Sequence, residues 1–266
     1  MPAVWDAPSD WSGFDLVVVR STWDYAERRD AFLAWAESLP EVWNAAPVLR
    51  WSTDKELYLS DLERAGVPVV PTRFLPPGTG FGPPGGPFVV KPAVSAGGRR
   101  SGRFAPEEAG AAAKLVEAIH AAGGTAMVQP YLGPAELIGE LGLVYLEGSY
   151  SHAVRRSVPL PALDGPGTTL YLAESVTAAQ PSAAALELAG RTLAAVPFGP
   201  LLYARVDLVN GPGGAPLVLE LELAEPSLYL SADTGATERF AAAIERAAAA
   251  SQRRRISADN GPTTRQ

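Results

Sequence analysis

Lys91 closes the apolar run Phe88-Val-Val-Lys and is followed by Pro92 and then by Ser95-Ala-Gly-Gly-Arg99. Far along the chain stand Arg205-Val-Asp207 and Glu220-Leu-Glu222. The first set reads as a strand that delivers an ammonium group into a glycine-rich loop. Glycine has no Cβ, so backbone amides at Gly97, Gly98 and Gly102 can approach an anion closely. The second set reads as a hairpin. Side chains two apart on a strand share a face, so Arg205 and Asp207 point the same way, as do Glu220 and Glu222. Three carboxylates on one patch repel one another unless a cation sits among them. Magnesium prefers oxygen ligands and shares phosphate oxygens with its substrate. Together the two sets suit a polyphosphate that travels with magnesium, as ATP does. The chain contains neither G-x-x-x-x-G-K-[ST] nor a G-x-G-x-x-G that opens a helix, so Walker-type and dinucleotide binding are not indicated.

Blander readings exist for each feature. A lysine at a strand end is most often exposed and idle. An acidic strand face is often a solvated edge, but Leu217, Val218, Leu219, Leu221 and Leu223 mark this strand as well packed. If the turn centres near Pro212-Gly213, Arg205 lies opposite Glu220 and Asp207 lies diagonal to both glutamates.

The elements that must position these groups alternate between strand and helix. Leu16-Val-Val-Val19 is a short continuous apolar run, as in a buried parallel strand. A helical pattern covers 27–39. Thr53-Asp-Lys-Glu56 fits a capping box with Thr53 as N-cap, opening a helix through Ala65 that Gly66 and Pro68 close. Residues 76–87 are Pro- and Gly-rich and read as a loop. Strands are expected at 88–91, 102–104 and 126–129, with a helix over 106–122. Gln129-Pro-Tyr-Leu-Gly133 breaks the pattern as a hinge would. Segments 138–146 and 149–156 flank Glu147-Gly148, a hairpin signal. A helix fits 182–196, a second hairpin 201–210 and 216–223, and an alanine-rich helix 233–250. Residues 251–266 carry Arg253-Arg-Arg255 without a core pattern and are expected to be a disordered tail. This divides the chain into 1–75, a small parallel α/β domain; 76–132, an α+β subdomain with the glycine-rich loop; 133–250, an α+β subdomain with the acidic hairpin; and the tail.

Composition bounds the function. A net charge of −7 argues against nucleic acid as the main partner, because phosphate backbones select basic surfaces. The absence of cysteine excludes disulfides and thiolate chemistry. No apolar run reaches the roughly 18 residues of a membrane span, and the first residues lack the pattern of a signal peptide. A cytoplasmic protein without a membrane partner is the simplest expectation; a homo-oligomer stays open.

The chain resembles the ATP-grasp superfamily of carboxylate–amine ligases, and within it the group containing the cyclo-ligase that closes the cycloserine ring. Arg20-Ser-Thr-Trp-Asp-Tyr25, Asp54-Lys55, Gly66-Val-Pro-Val-Val-Pro-Thr72, 88–104, Val128-Gln-Pro-Tyr-Leu132, Ser151-His-Ala-Val-Arg155, Ala204-Arg-Val-Asp207 and 220–230 carry the likeness. Each motif is weak alone; their order and spacing are specific. The resemblance implies an α/β (α+β) fold in which two α+β subdomains grasp ATP. Lys55 and Lys91 would contact its phosphates. Ser95, Gly97, Gly98 and Arg99 would belong to a loop that closes over them. Gln129, Tyr131 and Leu132 would line the adenine pocket, and Glu140 would hold the ribose. Asp207, Glu220 and Glu222 would hold two magnesium ions, with manganese as an alternative. Arg205 would neutralise the transferring phosphoryl group, and His152 and Arg155 would face a small carboxylate or amine substrate such as an amino-acid derivative. For His152, a half-buried strand histidine is an equal alternative.

Family members carry a strand and helix ahead of the segment corresponding to 5–19, so the first βα unit of the N-terminal domain is expected to be missing here. Glu222 also stands where better-known ligases carry asparagine. Two functions follow from the sequence. One is an ATP- and magnesium-dependent ligase that activates a carboxylate as an acyl phosphate for attack by an amine, within one molecule or between two. The other is a nucleotide-binding regulator or remnant without turnover.

Overall fold

The computed structural model describes residues 1–132, 139–157 and 175–259. Gly133 of the expected hinge, Ile138 of the expected strand and 260–266 of the expected tail lie outside them.

The N-terminal part is built on a short parallel pair, β1 (Val17–Val18) and β2 (Val42–Trp43), joined through helix α1 (Arg29–Ser38). Apolar residues of α1 recur at helical spacing. Phe32, Leu33 and Ala36 therefore face one way, and they pack with Trp5, Tyr25 and Leu49 into a core of their own. Helices α2 (Ala46–Ser52) and α3 (Lys55–Arg64) follow. The cap between them differs from expectation. Thr53 ends α2, its hydroxyl donating to the Leu49 carbonyl at 2.7 Å. Asp54 takes the N-cap of α3 and accepts from the Glu56 N–H at 3.0 Å. Thr53 is spent on one helix and cannot open the next. Gly66, at φ +75°, closes α3 in the left-handed region as the sequence anticipates.

The second unit is a four-stranded antiparallel sheet in the order β3 (Arg73–Leu75), β6 (Ala126–Pro130), β4 (Phe88–Pro92), β5 (Gly102–Phe104). Alternation along β4 decides what Lys91 does. Phe88 and Val90 point into a core with Ala112, Val116 and Ile119 of helix α4 (Ala109–Ala121). Val89 and Lys91 take the opposite face and line a cavity.

The third unit is a five-stranded sheet ordered β11 (Pro216–Glu222), β10 (Tyr203–Asn210), β7 (Glu140–Leu146), β8 (Ser149–Ser157), β9 (Ser175–Ala179). Glu147 and Gly148, both at positive φ, make the tight turn between β7 and β8. Ala204, Val206 and Leu208 bury one face of β10 against helix α5 (Ala183–Ala194) and residues of α2 and α3. Tyr203 on the other face packs with Phe240, Ala243 and Ala247 of helix α6 (Ala236–Asp259). Arg205 and Asp207 continue that second face, beyond the cover of α6.

Helix α6 corrects the expected tail, since 251–259 are helical. Buried Ser251 donates to the Asp15 carbonyl at 2.9 Å, and Arg255 donates to the Phe14 carbonyl at 2.8 Å. Arg254 pairs with Glu41. The polar residues lack a core pattern because they bind backbone carbonyls and carboxylates of the N-terminal unit rather than apolar surface. Ser251→Ala is expected to lower stability by about 1 kcal/mol by leaving that carbonyl unpaired. An unchanged urea midpoint would show that the contact contributes nothing.

Candidate active site

One cavity of about 330 Å³ lies between the four-stranded sheet, the five-stranded sheet and the N-terminal unit. That size falls in the usual range for small-molecule sites. From the four-stranded sheet it is lined by Lys91, Gln129, Tyr131 and Leu132, and from the loop after β4 by Ser95, Gly97, Gly98 and Arg99. The five-stranded sheet contributes Glu140, Arg156, Arg205, Glu220 and Glu222; α3 contributes Lys55 at its first turn. Segments remote in sequence thus converge as the chemistry requires.

The acidic hairpin is in register with Arg205 opposite Glu222 and Asp207 opposite Glu220. The expected pairing of Arg205 with Glu220 is off by two residues. A bulge between Asp207 and Leu208 leaves Leu219 without a partner, and the connection centres on Gly213 rather than before it. The shared face survives. Asp207, Glu220 and Glu222 each place a carboxylate oxygen within 4.8 Å of the others. Three hard oxygen donors this close fit magnesium.

Basic groups neutralise this patch. Arg205 grips Asp207 with two parallel bonds, Nε to Oδ1 at 2.8 Å and Nη2 to Oδ2 at 2.9 Å, and also pairs with Glu222. Such bidentate pairing is what a guanidinium does and an ammonium cannot. Arg156 reaches Asp207 at 2.8 Å and Glu140 at 2.5 Å. Lys91 donates to Glu220 at 2.7 Å, and Lys55 lies 3.9 Å from the same oxygen. The Lys55 ammonium also donates to the Ser95 carbonyl at 2.9 Å, tying α3 to the glycine-rich loop. Burial opposes ionisation of Glu220, but Lys91 and Lys55 outweigh it and hold the carboxyl well below its usual range. Burial pushes Glu222 up despite Arg205. Burial also pushes Glu140 up to about 7, with Arg156 working against it. Burial lowers Lys55.

Several residues sit differently from expectation. Asp207 is fully buried behind the cavity wall rather than on it. Arg155 does not line the cavity; Arg156 does. Register explains this, because Arg156 lies opposite Glu140 while Arg155 faces away. His152 is also outside the lining. It is buried, its Nε2 donates to the Leu228 carbonyl at 2.8 Å, and its Nδ1 accepts from Ser151 at 3.0 Å. It holds the segment after β11. His152 and Arg155 are three apart on one strand and cannot share a face, a signal already present in the sequence. Arg99, which shows no sequence-local partner, pairs with Glu27 of the N-terminal unit. Also in the wall, and not singled out from the sequence, are Ser52, Glu225, Ser227 and Tyr229, with Trp23 and Tyr25 from the Arg20–Tyr25 motif.

A family model for the N-terminal domain of D-cycloserine synthetase DcsG matches residues 1–46. The cycloserine biosynthesis protein DcsG of Streptomyces lavendulae is 35% identical over 255 residues, covering 90% of this chain and 85% of that protein. The chain belongs to the DcsG family of ATP-grasp ligases. The crystal structure of D-cycloserine synthetase DcsG superposes with a TM-score of 0.80 at 33% identity, over 91% of this chain and 88% of that one. D-alanine–D-alanine ligase from Bacillus anthracis gives a TM-score of 0.63 at 13% identity, over 92% and 82%, a likeness of fold alone. The family relationship accordingly makes the chain an ATP-dependent carboxylate–amine ligase. The regulator-or-remnant reading of the sequence is set aside. Among the described residues, no helix is long and apolar enough to cross a membrane.

Proposed function

We propose that this ligase phosphorylates the carboxylate of a small amino-acid derivative and that a nitrogen of the same molecule displaces the phosphate, closing a cyclic amide. The observation that carries this reading is the convergence of Lys55, Lys91, Arg205, Glu220 and Glu222 on one cavity, with Asp207 in reach of both glutamates behind its wall, in a chain closely related to a D-cycloserine synthetase. A carboxylate is a poor electrophile at neutral pH; an acyl phosphate is a good one. In the second step the acyl C–O bond to phosphate breaks, the C–N bond forms, phosphate leaves with the electron pair and the nitrogen loses a proton.

Each group has a place in that sequence. Lys55 and Lys91 give up Glu220 and hold the phosphates. Arg205 offsets charge on the transferring phosphoryl group. Gln129, Tyr131 and Leu132 border the adenine, and Glu140 takes the ribose hydroxyls. Asp207, Glu220 and Glu222 hold two divalent ions, magnesium or manganese. Bound there, the ions neutralise phosphate charge, which together with positioning is most of what such transfers need. Arg156, rather than Arg155, is the second arginine on the reacting side.

The loop 95–101 closes over the phosphates and keeps water from the acyl phosphate. Among the described residues it is tied down by the Arg99–Glu27 pair, the Lys55–Ser95 bonds and the packing of Ala96 against the N-terminal core. Amide hydrogen exchange across 92–103 is expected to slow on addition of a non-hydrolysable ATP analogue with magnesium. No change at saturation would mean that this loop is not the lid. The function itself is tested by ADP release with the ring-opened acid of D-cycloserine, together with mass detection of the ring. ADP release with proteinogenic amino acid pairs and none with this acid would replace ring closure by ordinary peptide-type ligation.

A further inference from the structure

Glu225 is 6% exposed and lines the cavity, and its Oε2 has no hydrogen-bond partner among the described residues. It differs in this from the carboxylates beside it. Glu220 is paired with Lys91, Glu222 with Arg205 and Glu140 with Arg156. A buried carboxyl without a partner costs free energy and persists where something else requires it. Its place is fixed from both sides. Arg20 Nη2 donates to the Pro226 carbonyl at 2.6 Å, and Arg205 Nη1 donates to the Ser227 carbonyl at 2.8 Å. The backbone directly after Glu225 is therefore held, and the side chain is aimed rather than loose. Ser52, from the end of α2, brings a second buried and unpartnered polar atom to the same cavity. Burial and the neighbouring Glu222 push the Glu225 carboxyl well up, while Arg205, Arg20 and Lys55 pull the other way. A cationic donor arriving in the cavity would complete the charge that this group lacks.

The metal and phosphate chemistry uses Asp207, Glu220, Glu222, Lys55, Lys91 and Arg205, and leaves Glu225 without a task. The substrate class supplies one. The cycloserine ring keeps a primary amine on the carbon next to its carbonyl, and that amine takes no part in closing the ring. We propose that Glu225 anchors this non-reacting amine of the substrate as its ammonium ion. The assignment rests on the ring-closure reading above. Held as an ammonium, the nitrogen has no lone pair and cannot compete for the acyl phosphate, so the other nitrogen closes the ring. Glu225 is thus a specificity determinant for substrates with a free amine beside the reacting carboxyl.

The test compares two ring compounds as probes, D-cycloserine and isoxazolidin-3-one, which is the same ring without the amine. Binding of each is measured by calorimetry in saturating Mg-ADP. The ligase is expected to bind D-cycloserine at least about ten-fold more tightly, the worth of one hydrogen bond to a charged group. Glu225→Gln and Glu225→Met are expected to bind both rings alike while retaining affinity for a non-hydrolysable ATP analogue. Equal affinities in the parent, or a preference that survives in the variants, would overturn the proposal and leave ring closure standing. Binding of neither ring by the parent would sink ring closure itself, and this proposal with it. Loss of ATP-analogue binding in both variants would make Glu225 a structural group and overturn the assignment.

Discussion

Glu220→Gln is expected to remove turnover and to cost stability. As a proposed metal ligand, Glu220 would touch the group that neutralises phosphate charge. Loss of a supporting shell residue already costs about 10–100-fold at metal sites, so loss of the ligand is expected to exceed that range. Relief of one of three crowded carboxylates would by itself leave the fold indifferent. The structure argues otherwise. Glu220 is the counter-charge of Lys91 and of buried Lys55. Gln would leave two ammonium groups facing each other across a poorly solvated cavity. Breaking a buried pair costs about 3–5 kcal/mol, and partial exposure here reduces that to roughly 2–4 kcal/mol. The pH dependence follows from the same pairing. A carboxyl whose folded pKa is depressed adds stability at neutral pH, which is lost as pH falls below the ordinary carboxylate range. The variant should therefore lose less stability on acidification than the parent. Parent-like turnover would remove Glu220 from the ligand set.

Arg205→Met is expected to be the more damaging change to the fold. Arg205 is 2% exposed and satisfies Asp207, Glu222 and the Ser227 carbonyl. Methionine fills similar space but leaves Asp207, at 0% exposure, with Arg156 alone. The expected loss is about 3–5 kcal/mol, a large part of the ~5–15 kcal/mol that holds a typical domain together. Millimolar magnesium should recover part of it, because a cation bound to the same carboxylates stabilises only the folded state. The urea midpoint with and without magnesium reads both effects. A loss below about 1 kcal/mol, the value of an exposed pair, would show that Arg205 does not carry the cluster. Arg205→Lys should recover little, since an ammonium cannot span both oxygens of Asp207.

The sequence made the site legible where period and chemistry agree. Lys91 follows from alternation along 88–91, and the shared face of Arg205, Asp207, Glu220 and Glu222 follows from their even spacing. Both hold because a one-residue slip would carry the charged side chains into the apolar layer and put Phe88 or Val206 among the charged groups. What was not legible depends on tertiary detail. The bulge at Leu219 shifts the hairpin register, and no turn residue announces it. Thr53 rather than Asp54 looks like the better N-cap until the end of α2 claims its hydroxyl. Arg155 and Arg156 are adjacent, and only pairing with Glu140 shows which faces inward. Glu225 lies outside the regular alternation of β11, so spacing could not assign it to the cavity. The tail reads as disordered because its partners are polar, the Asp15 and Phe14 carbonyls and the Asp15 and Glu41 side chains, and such pairing leaves no apolar period in the sequence.

The proposed acyl phosphate is tested most directly by the path of oxygen. The ring-opened acid of D-cycloserine, labelled with oxygen-18 in its carboxylate, is turned over with Mg-ATP, and the inorganic phosphate is analysed by mass spectrometry. Activation at the carboxylate predicts that one labelled oxygen of each acid leaves with the phosphate as the ring closes. Ring formation with unlabelled phosphate would contradict it, because the carboxylate oxygen would then never have been bonded to phosphorus.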